Sequence, residues 1–460
     1  MREKILKMRE EERKQLENFL KERFGVKIPK DWILFKKVGK GFYFWPVSVF
    51  CGNENLIEKL EVFEIGIPFG TLEAGEFKFS LEISDFVENQ ISKNVIELTD
   101  EEVEKLFNGE NIQKKLKLGS YVLKFKGRMV GGAFCDGRKI LNFLPRVFEF
   151  ELKPKRKVKK EREKPIRIEK LGNFIRFFSD LPDFDIQKFL ETVHDRTQRF
   201  AIRVNPLKTN LEKFFENFKE VKFTPVPWCK GCYFVEEKDK WITKSLNYIL
   251  GDFYLQEPAS LIAVLALDPK PGEKVLDLCA APGSKTTQIC QSMRLKGTIV
   301  ANEPNIERAK ILVANLRRWG AMNTIVTCYD GRKFLLRETF DKVLVDAPCT
   351  GIGNDLKSVY KWKKETTERL SQLQKQLIVS GFEALKKGGI LVYSTCTISK
   401  EENEKVIEFL LKKYKGKAIA EEIQLEGIKF TPGMVKNTIR IYPYQNLTES
   451  FFVAKIKKLI

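Results

Sequence analysis

The chain has 460 residues, 43% of them hydrophobic and 12% aromatic, which is long and apolar enough for two or three folded domains and excludes a largely disordered chain. Lys and Arg number 82 against 62 Asp and Glu, a formal net charge of +20. This excess favours a polyanionic partner, nucleic acid or an anionic membrane surface, although solubility alone would also explain it.

Targeting signals and metal motifs are the next features that the sequence can exclude. No apolar run approaches the ~20 residues that span a bilayer, and the charged opening segment lacks the apolar core of a secretory signal. We therefore expect a cytoplasmic protein without a membrane partner, in which the nine cysteines remain thiols. A single histidine, His194, excludes a multi-histidine metal site, so we expect no metal.

The first 152 residues predict a module of their own. Residues 1–25 are charged and helix-like, and short apolar stretches broken by turns follow. The segment "LTDEEVEKLFNG" predicts a helix with Thr99 or Asp100 as its N-cap. The stretch "GSYVLKFKGRMVGGAFCDGRKILNFLPRV" indicates short strands joined by glycine turns. We predict a small α+β or β-barrel module.

A basic segment over residues 153–165, "KPKRKVKKEREKP", predicts a linker, either a solvated tether or a contact to phosphates. Residues 166–255 then predict a second small α+β region with a basic strand-like run around Arg203. This region also holds the CxxC pair Cys229 and Cys232. One such pair without further ligands cannot complete a tetrahedral zinc site, so a structural role is favoured.

From residue 256 to the end, short apolar strands alternate with helices. The strands are carried by the stretches "EKVLDLCA", "GTIVANE", "NTIVTCYD", "FDKVLVDAP" and "ILVYSTC". The intervening helices include "NIERAKILVANLRRWG", ending at Gly320, and one around "ETTERLSQLQKQLIVSGFEALKKGG". This alternation is typical of a parallel sheet covered on both faces, a doubly wound α/β domain.

The first strand of this domain ends in "DLCAAPGSKT", where small residues let a backbone approach a ligand. The sequence has neither the GxGxxG dinucleotide pattern nor a Walker loop here. Glu303 ends the second strand, where it can bind ribose hydroxyls, and Asp330 ends the third, where it can accept from an adenine amino group. These features suit S-adenosylmethionine, with a generic nucleotide binder as the alternative.

Two further strands each end in a cysteine, Cys349 after Asp346 and Cys396 between two threonines. Methylation at C5 of cytosine needs a thiolate that adds to C6, an acid at N3 and help with product release. If the two strands are neighbours, both thiols and the carboxylate face one pocket. The alternative is that both cysteines are small buried hydrophobic residues.

The motifs "YLQEPAS", "VLDLCAAPGSKTTQI", "FDKVLVDAPCTGIG" and "GGILVYSTCTISKEENEKVI" resemble those of the NSUN (Sun/Fmu-type) family of RNA cytosine-5 methyltransferases, over roughly residues 170 to 460. The resemblance implies a Rossmann-like class I methyltransferase domain. It implies that Cys396 is the nucleophile, that Cys349 helps eliminate the product and that Lys285 lies near cofactor and base. The residues implied to line the S-adenosylmethionine site are Cys279, Ala280, Ala281, Pro282, Gly283, Ser284, Lys285, Glu303, Arg308, Asp330 and Asp346.

Two parts of the chain depart from this resemblance. Before the closing "FFVAK" strand, where family members often have a His and an Asp-Gly, the chain has Tyr444 and Glu449-Ser450. The N-terminal module lies outside the match and is similar to PUA-type RNA-binding modules. The basic residues predicted to contact RNA, with ordinary surface charge as the alternative, are Arg128, Arg138, Lys139, Arg146 and Arg203.

Two rival functions have distinct signatures. A DNA cytosine-5 methyltransferase would use Cys349 as nucleophile and leave Cys396 without a role, and it would carry a large target-recognition insertion. A non-catalytic RNA-binding factor with a retained methyltransferase fold would have lost one of the thiols. We therefore predict a monomeric RNA methyltransferase acting on structured RNA, with tRNA favoured over rRNA.

Overall fold

The computed structural model describes residues 4–38, 44–52, 54–73, 76–142, 171–194 and 200–460. The predicted linker 153–165 and Arg146 lie outside these ranges. Within them, every helix is too short or too polar to cross a membrane.

The N-terminal module contains two five-stranded sheets, ordered β1-β2-β3-β5-β6 and β7-β9-β10-β11-β8. All pairings within them are antiparallel except that of β7 with β9. The elements are β1 (Lys4–Lys7), α1 (Glu10–Phe24), β2 (Ile33–Val38), β3 (Phe44–Phe50), β4 (Val62–Ile65), β5 (Ile67–Glu73), β6 (Glu76–Phe79), α2 (Ser84–Val87), β7 (Val95–Glu97), α3 (Asp100–Phe107), β8 (Ile112–Gln113), β9 (Gly119–Phe125), β10 (Arg128–Cys135) and β11 (Lys139–Leu141).

Local sequence explains the two longer helices of this module. Thr99 caps α3 as predicted, because its hydroxyl oxygen accepts from the Glu102 N–H at 3.2 Å while the Glu102 carboxylate accepts from the Thr99 N–H. The apolar side of α1 buries Leu16, Leu20 and Phe24. The prediction that the helix includes the first residues is wrong for Lys4–Lys7, which pair with β2.

The strand β4 belongs to neither N-terminal sheet. It pairs antiparallel with β18 (Thr324–Thr327) at the edge of the C-terminal sheet, with Ile65 opposite Ile325. An ion pair between Glu64 and Arg317, 2.5 Å long, and the Gly66 N–H bond to the Thr324 carbonyl reinforce the contact. The N-terminal module therefore contributes a strand to the sheet of the α/β domain.

The middle region forms a four-stranded antiparallel sheet, ordered β13-β14-β12-β15, with helices around it. Cys229 and Cys232 are buried in the turn that leads into β14. The elements are α4 (Gly172–Phe178), α5 (Ile186–His194), β12 (Phe200–Val204), α6 (Leu211–Asn217), β13 (Thr224–Pro225), β14 (Cys232–Val235), α7 (Leu246–Leu250) and β15 (Phe253–Gln256).

The α/β domain follows, and its strands and helices alternate as the sequence predicts. Its remaining elements are α8 (Leu261–Leu267), β16 (Lys274–Asp277), α9 (Ser284–Met293), β17 (Thr298–Asn302), α10 (Ile306–Trp319), β19 (Phe340–Asp346), α11 (Leu356–Tyr360), α12 (Lys364–Ala384), β20 (Leu385–Thr395), α13 (Glu404–Lys413), β21 (Ala418–Glu421), β22 (Thr431–Pro432), β23 (Thr438–Ile441), α14 (Pro443–Asn446) and β24 (Phe451–Lys458). The helix predicted through "ALKKGG" ends at Ala384, where β20 begins.

The core of the domain is a parallel sheet ordered β18-β17-β16-β19-β20. The strand β24 continues it antiparallel beside β20. The buried runs of β16, β17 and β19 have apolar side chains on both faces, as covered parallel strands require. The order reverses between β16 and β19, and in such sheets ligands bind at the carboxyl ends of the strands beside this switch point. The predicted Rossmann-like fold is confirmed.

Candidate active site

The loop between β16 and α9 is built for close approach of a ligand. Gly283 has φ +109°, a left-handed conformation that disfavours other residues, and a Cβ there would lie 3.0 Å from Leu312. The helix α9 starts immediately afterwards, at Ser284. The predicted small-residue loop therefore leads directly into a helix N-terminus at the carboxyl edge of the sheet.

Asp277, the last residue of β16, is buried beneath this loop with one oxygen unpaired. Its Oδ2 accepts from the Thr286 hydroxyl at 2.7 Å, whereas Oδ1 has no partner among the described residues. Burial raises the pKa of Asp277 to about 7, although the Thr286 hydrogen bond opposes the shift. A buried unpaired carboxylate oxygen is what a cationic ligand group would satisfy.

Glu303 follows β17 and is 2% exposed. One oxygen accepts from the Asn305 N–H at 2.9 Å, and the other pairs with Arg308 at 3.2 Å. Arg308 also donates to the Ala281 carbonyl at 3.0 Å, so it ties the carboxylate to the small-residue loop. Glu303 and Arg308, both implied to line the S-adenosylmethionine site, are thus brought together.

Asp330 follows β18 at the predicted edge, but its carboxylate binds a neighbour. Arg332 donates to both of its oxygens, at 2.6 and 2.9 Å, and this contact lowers the pKa of Asp330. The preceding Tyr329 accepts from the Glu61 N–H of the N-terminal module. Contact of Asp330 with an adenine stays a prediction.

Lys285 and Asp346 form an ion pair where β16 and β19 end. The Lys285 Nζ donates to Asp346 Oδ2 at 2.7 Å, and the Ser394 hydroxyl donates to Oδ1 at 2.7 Å. Burial disfavours the Lys285 ammonium, but the Asp346 carboxylate outweighs it and raises the pKa of Lys285. The Nζ also lies 5.7 Å from the Phe451 ring centroid. The ion pair and the Ser394 hydrogen bond therefore hold both side chains in place.

The two thiols meet as predicted, because β19 and β20 are parallel neighbours with Asp346 opposite Ser394. Cys349 Sγ lies 3.3 Å from Cys396 Sγ, and the Asn354 Nδ2 donates to Cys396 Sγ at 3.4 Å. The contact with Cys396, burial and the charge of Glu402 raise the pKa of Cys349. Both cysteines are partly exposed rather than sealed in the core. Each thiol also has a donor of its own, the Asn354 side-chain amide for Cys396 and the backbone of Gly351 for Cys349.

The structure adds two acidic groups, Glu257 and Glu449, that were not predicted as site residues. Glu257 accepts from the Glu449 N–H at 2.9 Å and from the Ser260 N–H at 2.7 Å. Burial and then the charge of Glu449 raise the pKa of Glu257 to about 8. Glu449 interacts electrostatically with the Lys285 ammonium. The signal was present, since Glu257 lies in "YLQEPAS" and Glu449 replaces the family's usual Asp-Gly aspartate.

The predicted RNA contacts divide into two groups. The predicted contact of Arg203 is wrong, because Arg203 is 1% exposed and lies 4.2 Å from the Trp319 ring centroid. Arg128 is partly buried and its guanidinium pairs with Asp85 and Asp252, so its contact with RNA stays a prediction. Arg138 is exposed and Lys139 is half-buried, so their RNA contacts stay predictions. Among the described residues, no group of three or more His, Cys, Asp or Glu side chains could hold a metal ion.

Comparison with known proteins identifies the family. Residues 264–457 match the model of 16S rRNA methyltransferase RsmB/F, and residues 172–258 match the N-terminal domain of 16S rRNA methyltransferase RsmF. The chain is 42% identical over 275 residues to the tRNA (cytosine(49)-C(5))-methyltransferase of Pyrococcus abyssi, covering 56% of this chain and 88% of that protein. The chain belongs to the RsmB/F family of RNA cytosine-5 methyltransferases.

A further relative and two solved structures extend the comparison. The small-subunit rRNA methyltransferase F of Vibrio cholerae is 40% identical over 279 residues, which cover 57% of this chain and 58% of that protein. The structure of a methyltransferase homologue from Pyrococcus horikoshii superimposes with a TM-score of 0.53 at 31% identity, covering 64% of this chain and all of that one. NSun6 from the same organism, solved with SFG, shares the fold at 24% identity, a TM-score of 0.53 and coverage of 60% and 94%.

The RsmB/F family uses S-adenosylmethionine, and the residues at the strand ends fit this cofactor. Gly283 takes the left-handed turn that leads the small-residue loop into α9, Glu303 offers a carboxylate for ribose hydroxyls, and Asp277 has a buried unpaired oxygen for a cationic group. Both family models leave residues 1–171 unmatched. The PUA-like nature of the N-terminal module is therefore still a prediction.

Proposed function

We propose that this chain methylates C5 of a cytosine in structured RNA through a covalent bond between Cys396 and C6 of the base. The observation that carries the proposal is the juxtaposition of Cys349 and Cys396, 3.3 Å apart, beside the Lys285–Asp346 ion pair. A single thiol would serve addition, but this reaction also has to release its product, and a second group beside the first suits that task.

S-adenosylmethionine supplies an electrophilic methyl group on a positively charged sulfur. Residues Cys279 to Ser284 would surround it, with Glu303 and Arg308 on the ribose side. Asp277, whose Oδ1 lacks a partner, would face positive charge. All of these groups belong to one edge of the sheet, so a bound methyl donor would lie beside the thiol pair.

The base is activated by the chain's own residues. The Cys396 thiolate would bond to C6, and the displaced electron pair of the C5–C6 double bond would make C5 nucleophilic enough to take the methyl group, whose bond to the cofactor sulfur breaks so that a neutral thioether leaves. Asp346 lies between Lys285 and Ser394, both of which donate to it, so its carboxyl group is held in one orientation. We propose that it contacts N3 of the bound cytosine. Cys349 then assists removal of the C5 proton, and the bond from C6 to sulfur breaks.

The kind of RNA substrate is proposed from the share of each relative's length that this chain covers. The chain covers 88% of the Pyrococcus tRNA methyltransferase but only 58% of the Vibrio rRNA methyltransferase. This difference supports tRNA. The match of residues 172–258 to the RsmF N-terminal domain favours rRNA as the second candidate. Arg138, Lys139 and the basic segment 153–165 are proposed to supply phosphate contacts, and we propose that the protein acts as a cytoplasmic monomer.

The test is a trapping experiment with wild type, Cys349→Ala and Cys396→Ala proteins, total cellular RNA and S-adenosylmethionine. We expect a covalent protein–RNA adduct on denaturing gels that accumulates in Cys349→Ala and is absent in Cys396→Ala. Sequencing the trapped RNA identifies the substrate and the cytosine. An adduct that accumulates only in Cys396→Ala would reverse the two roles. No adduct and no methylation by any variant would favour a non-catalytic RNA-binding factor.

A further inference from the structure

A buried carboxylate lies between the two loops that carry the cysteines. Glu402 is fully buried, six residues after Cys396 in the loop that follows β20. It does not touch the thiols. Its oxygens instead bind the loop that follows β19, which carries Cys349. A charge that is buried away from the reacting atoms needs a structural or functional reason.

Each oxygen of Glu402 has a partner across the gap between the loops. Oε1 accepts from the Thr350 hydroxyl at 2.5 Å, and Oε2 accepts from the Thr350 N–H at 3.0 Å. Gln374 of α12 donates its Nε2 to Glu402 Oε2 and to the Pro348 carbonyl, both at 2.9 Å. The residues before and after Cys349 are therefore both held by one carboxylate and one amide.

The same carboxylate sets the direction of the next hydrogen bond. Because an ionised carboxylate only accepts, the Thr350 hydroxyl must donate to Glu402 and can then accept from the Thr397 hydroxyl at 2.9 Å. Thr397 is the residue after Cys396. A directed chain thus runs from the neighbour of one thiol, through the neighbour of the other, to the buried charge.

We propose that Glu402 is a positioning residue that holds the loops of Cys349 and Cys396 at the separation on which their two roles depend. The inference rests on the proposed function, in which one thiol adds to the base while the other assists release. Displacement of reacting groups by about 1 Å can lower a rate by about 100-fold. Glu402 acts through Thr350 and Gln374 rather than on the base.

The charge of Glu402 also reaches Cys349, where it contributes to the raised pKa of the thiol. Glu402→Gln keeps the size of the side chain and removes the charge, and its new NH2 group cannot accept from Thr350 or Gln374. Glu402→Asp keeps the charge on a shorter side chain. Glu401→Gln is the matched control, because Glu401 is buried to a similar extent in the same loop but binds Ser399 and Lys405.

The first measurement is methylation of a tRNA transcript, with kcat and KM determined separately. For Glu402→Gln we expect kcat to fall by about 10- to 100-fold, with KM for RNA and the Kd for S-adenosylmethionine changed less than about threefold. Glu402→Asp should recover part of the loss, and Glu401→Gln should match wild type. An unchanged kcat in Glu402→Gln, or a loss that follows only the folded fraction measured by circular dichroism, would overturn the proposal.

The second measurement needs no RNA and so separates this inference from the proposed function. The pH dependence of Cys349 alkylation by iodoacetamide is followed by peptide mass spectrometry in the intact protein. Without the charge of Glu402, the alkylation midpoint should move to lower pH, and in Glu401→Gln it should not move. If wild type methylates no RNA while this shift occurs, the proposed function fails and the coupling of Glu402 to Cys349 stands. If the shift is absent, the inference fails.

Discussion

Replacing Arg128 by alanine removes the cation that two buried carboxylates share. The guanidinium donates twice to Asp252, at 2.6 and 2.8 Å, and once to Asp85 at 2.9 Å. The Asp252 side chain is 1% exposed and that of Asp85 6%. The contact joins β10 of the N-terminal module to the turn before β15, so it links two regions of the chain.

The magnitude follows from what remains after the substitution. Breaking a buried ion pair lowers the free energy of unfolding by about 3–5 kcal/mol, because the remaining partner is a buried charge without compensation. Asp252 retains the Asn247 amide at 2.7 Å and Asp85 retains Lys208 at 3.3 Å, so we expect a loss of about 3 kcal/mol. Arg128→Ala combined with Asp252→Asn should recover part of this loss, because the uncompensated charge is gone.

Urea unfolding and hydrogen exchange along β10 and β15 measure the effect. Arg138→Ala is the control, because Arg138 lies exposed in the same module and should change stability by less than about 0.5 kcal/mol. The reasoning fails if Arg128→Ala costs less than about 1 kcal/mol. It also fails if Arg128→Ala weakens RNA binding while leaving stability and exchange at wild-type values, which would support the role of a phosphate contact.

Three further predictions concern the cofactor and the RNA. Because burial raises the pKa of Asp277 to about 7, the folded state keeps a proton that the unfolded state releases, so Asp277 lowers stability as pH rises from about 4 to 7. Asp277→Asn should flatten this pH dependence of the thermal unfolding midpoint, and an unchanged pH dependence would contradict the burial argument. Glu303→Gln should weaken S-adenosylmethionine binding about tenfold by calorimetry, whereas the exposed Glu307→Gln should not; equal effects would remove Glu303 from the ribose site. Arg138→Ala and Lys139→Ala should each reduce the salt dependence of RNA affinity by about one ion, measured by filter binding from about 50 to 200 mM salt, and unchanged slopes would leave both as ordinary surface charges.

The parallel sheet was predictable because its strands carry strong local signals. Apolar runs ending in Asp277, Glu303 and Asp346 mark the strand ends, and strand adjacency in such folds brings Cys349 beside Cys396. Local capping likewise predicts where two helices begin and end. Thr99 is the N-cap of α3 and Gly320 the C-cap of α10, as expected.

The surroundings of several charged residues could not be predicted, because burial of a charge depends on distant partners. Arg128 looks like a surface residue between short strands, and only folding brings Asp252 to it, 124 residues later. Arg203 likewise finds its acceptors at Gln256, Gln291 and Ser284. The bonds of Glu402 to Thr350 are equally remote in sequence, so neither spacing nor periodicity could reveal them.

The pairing of β4 with β18 also constrains how the protein is made. Ile65 leaves the ribosome about 260 residues before its partner Ile325, and domains generally fold as units during synthesis, the N-terminal one first. The module can therefore be finished while β18 is still to be translated, and it then offers a ready strand to β18 before β19, β20 and β24 are made. A truncated protein that lacks the N-terminal module would expose the β18 edge, and an unprotected strand edge is a site of aggregation. The N-terminal module therefore supplies one strand of the sheet and also covers an edge that would otherwise stay open while the later strands are made.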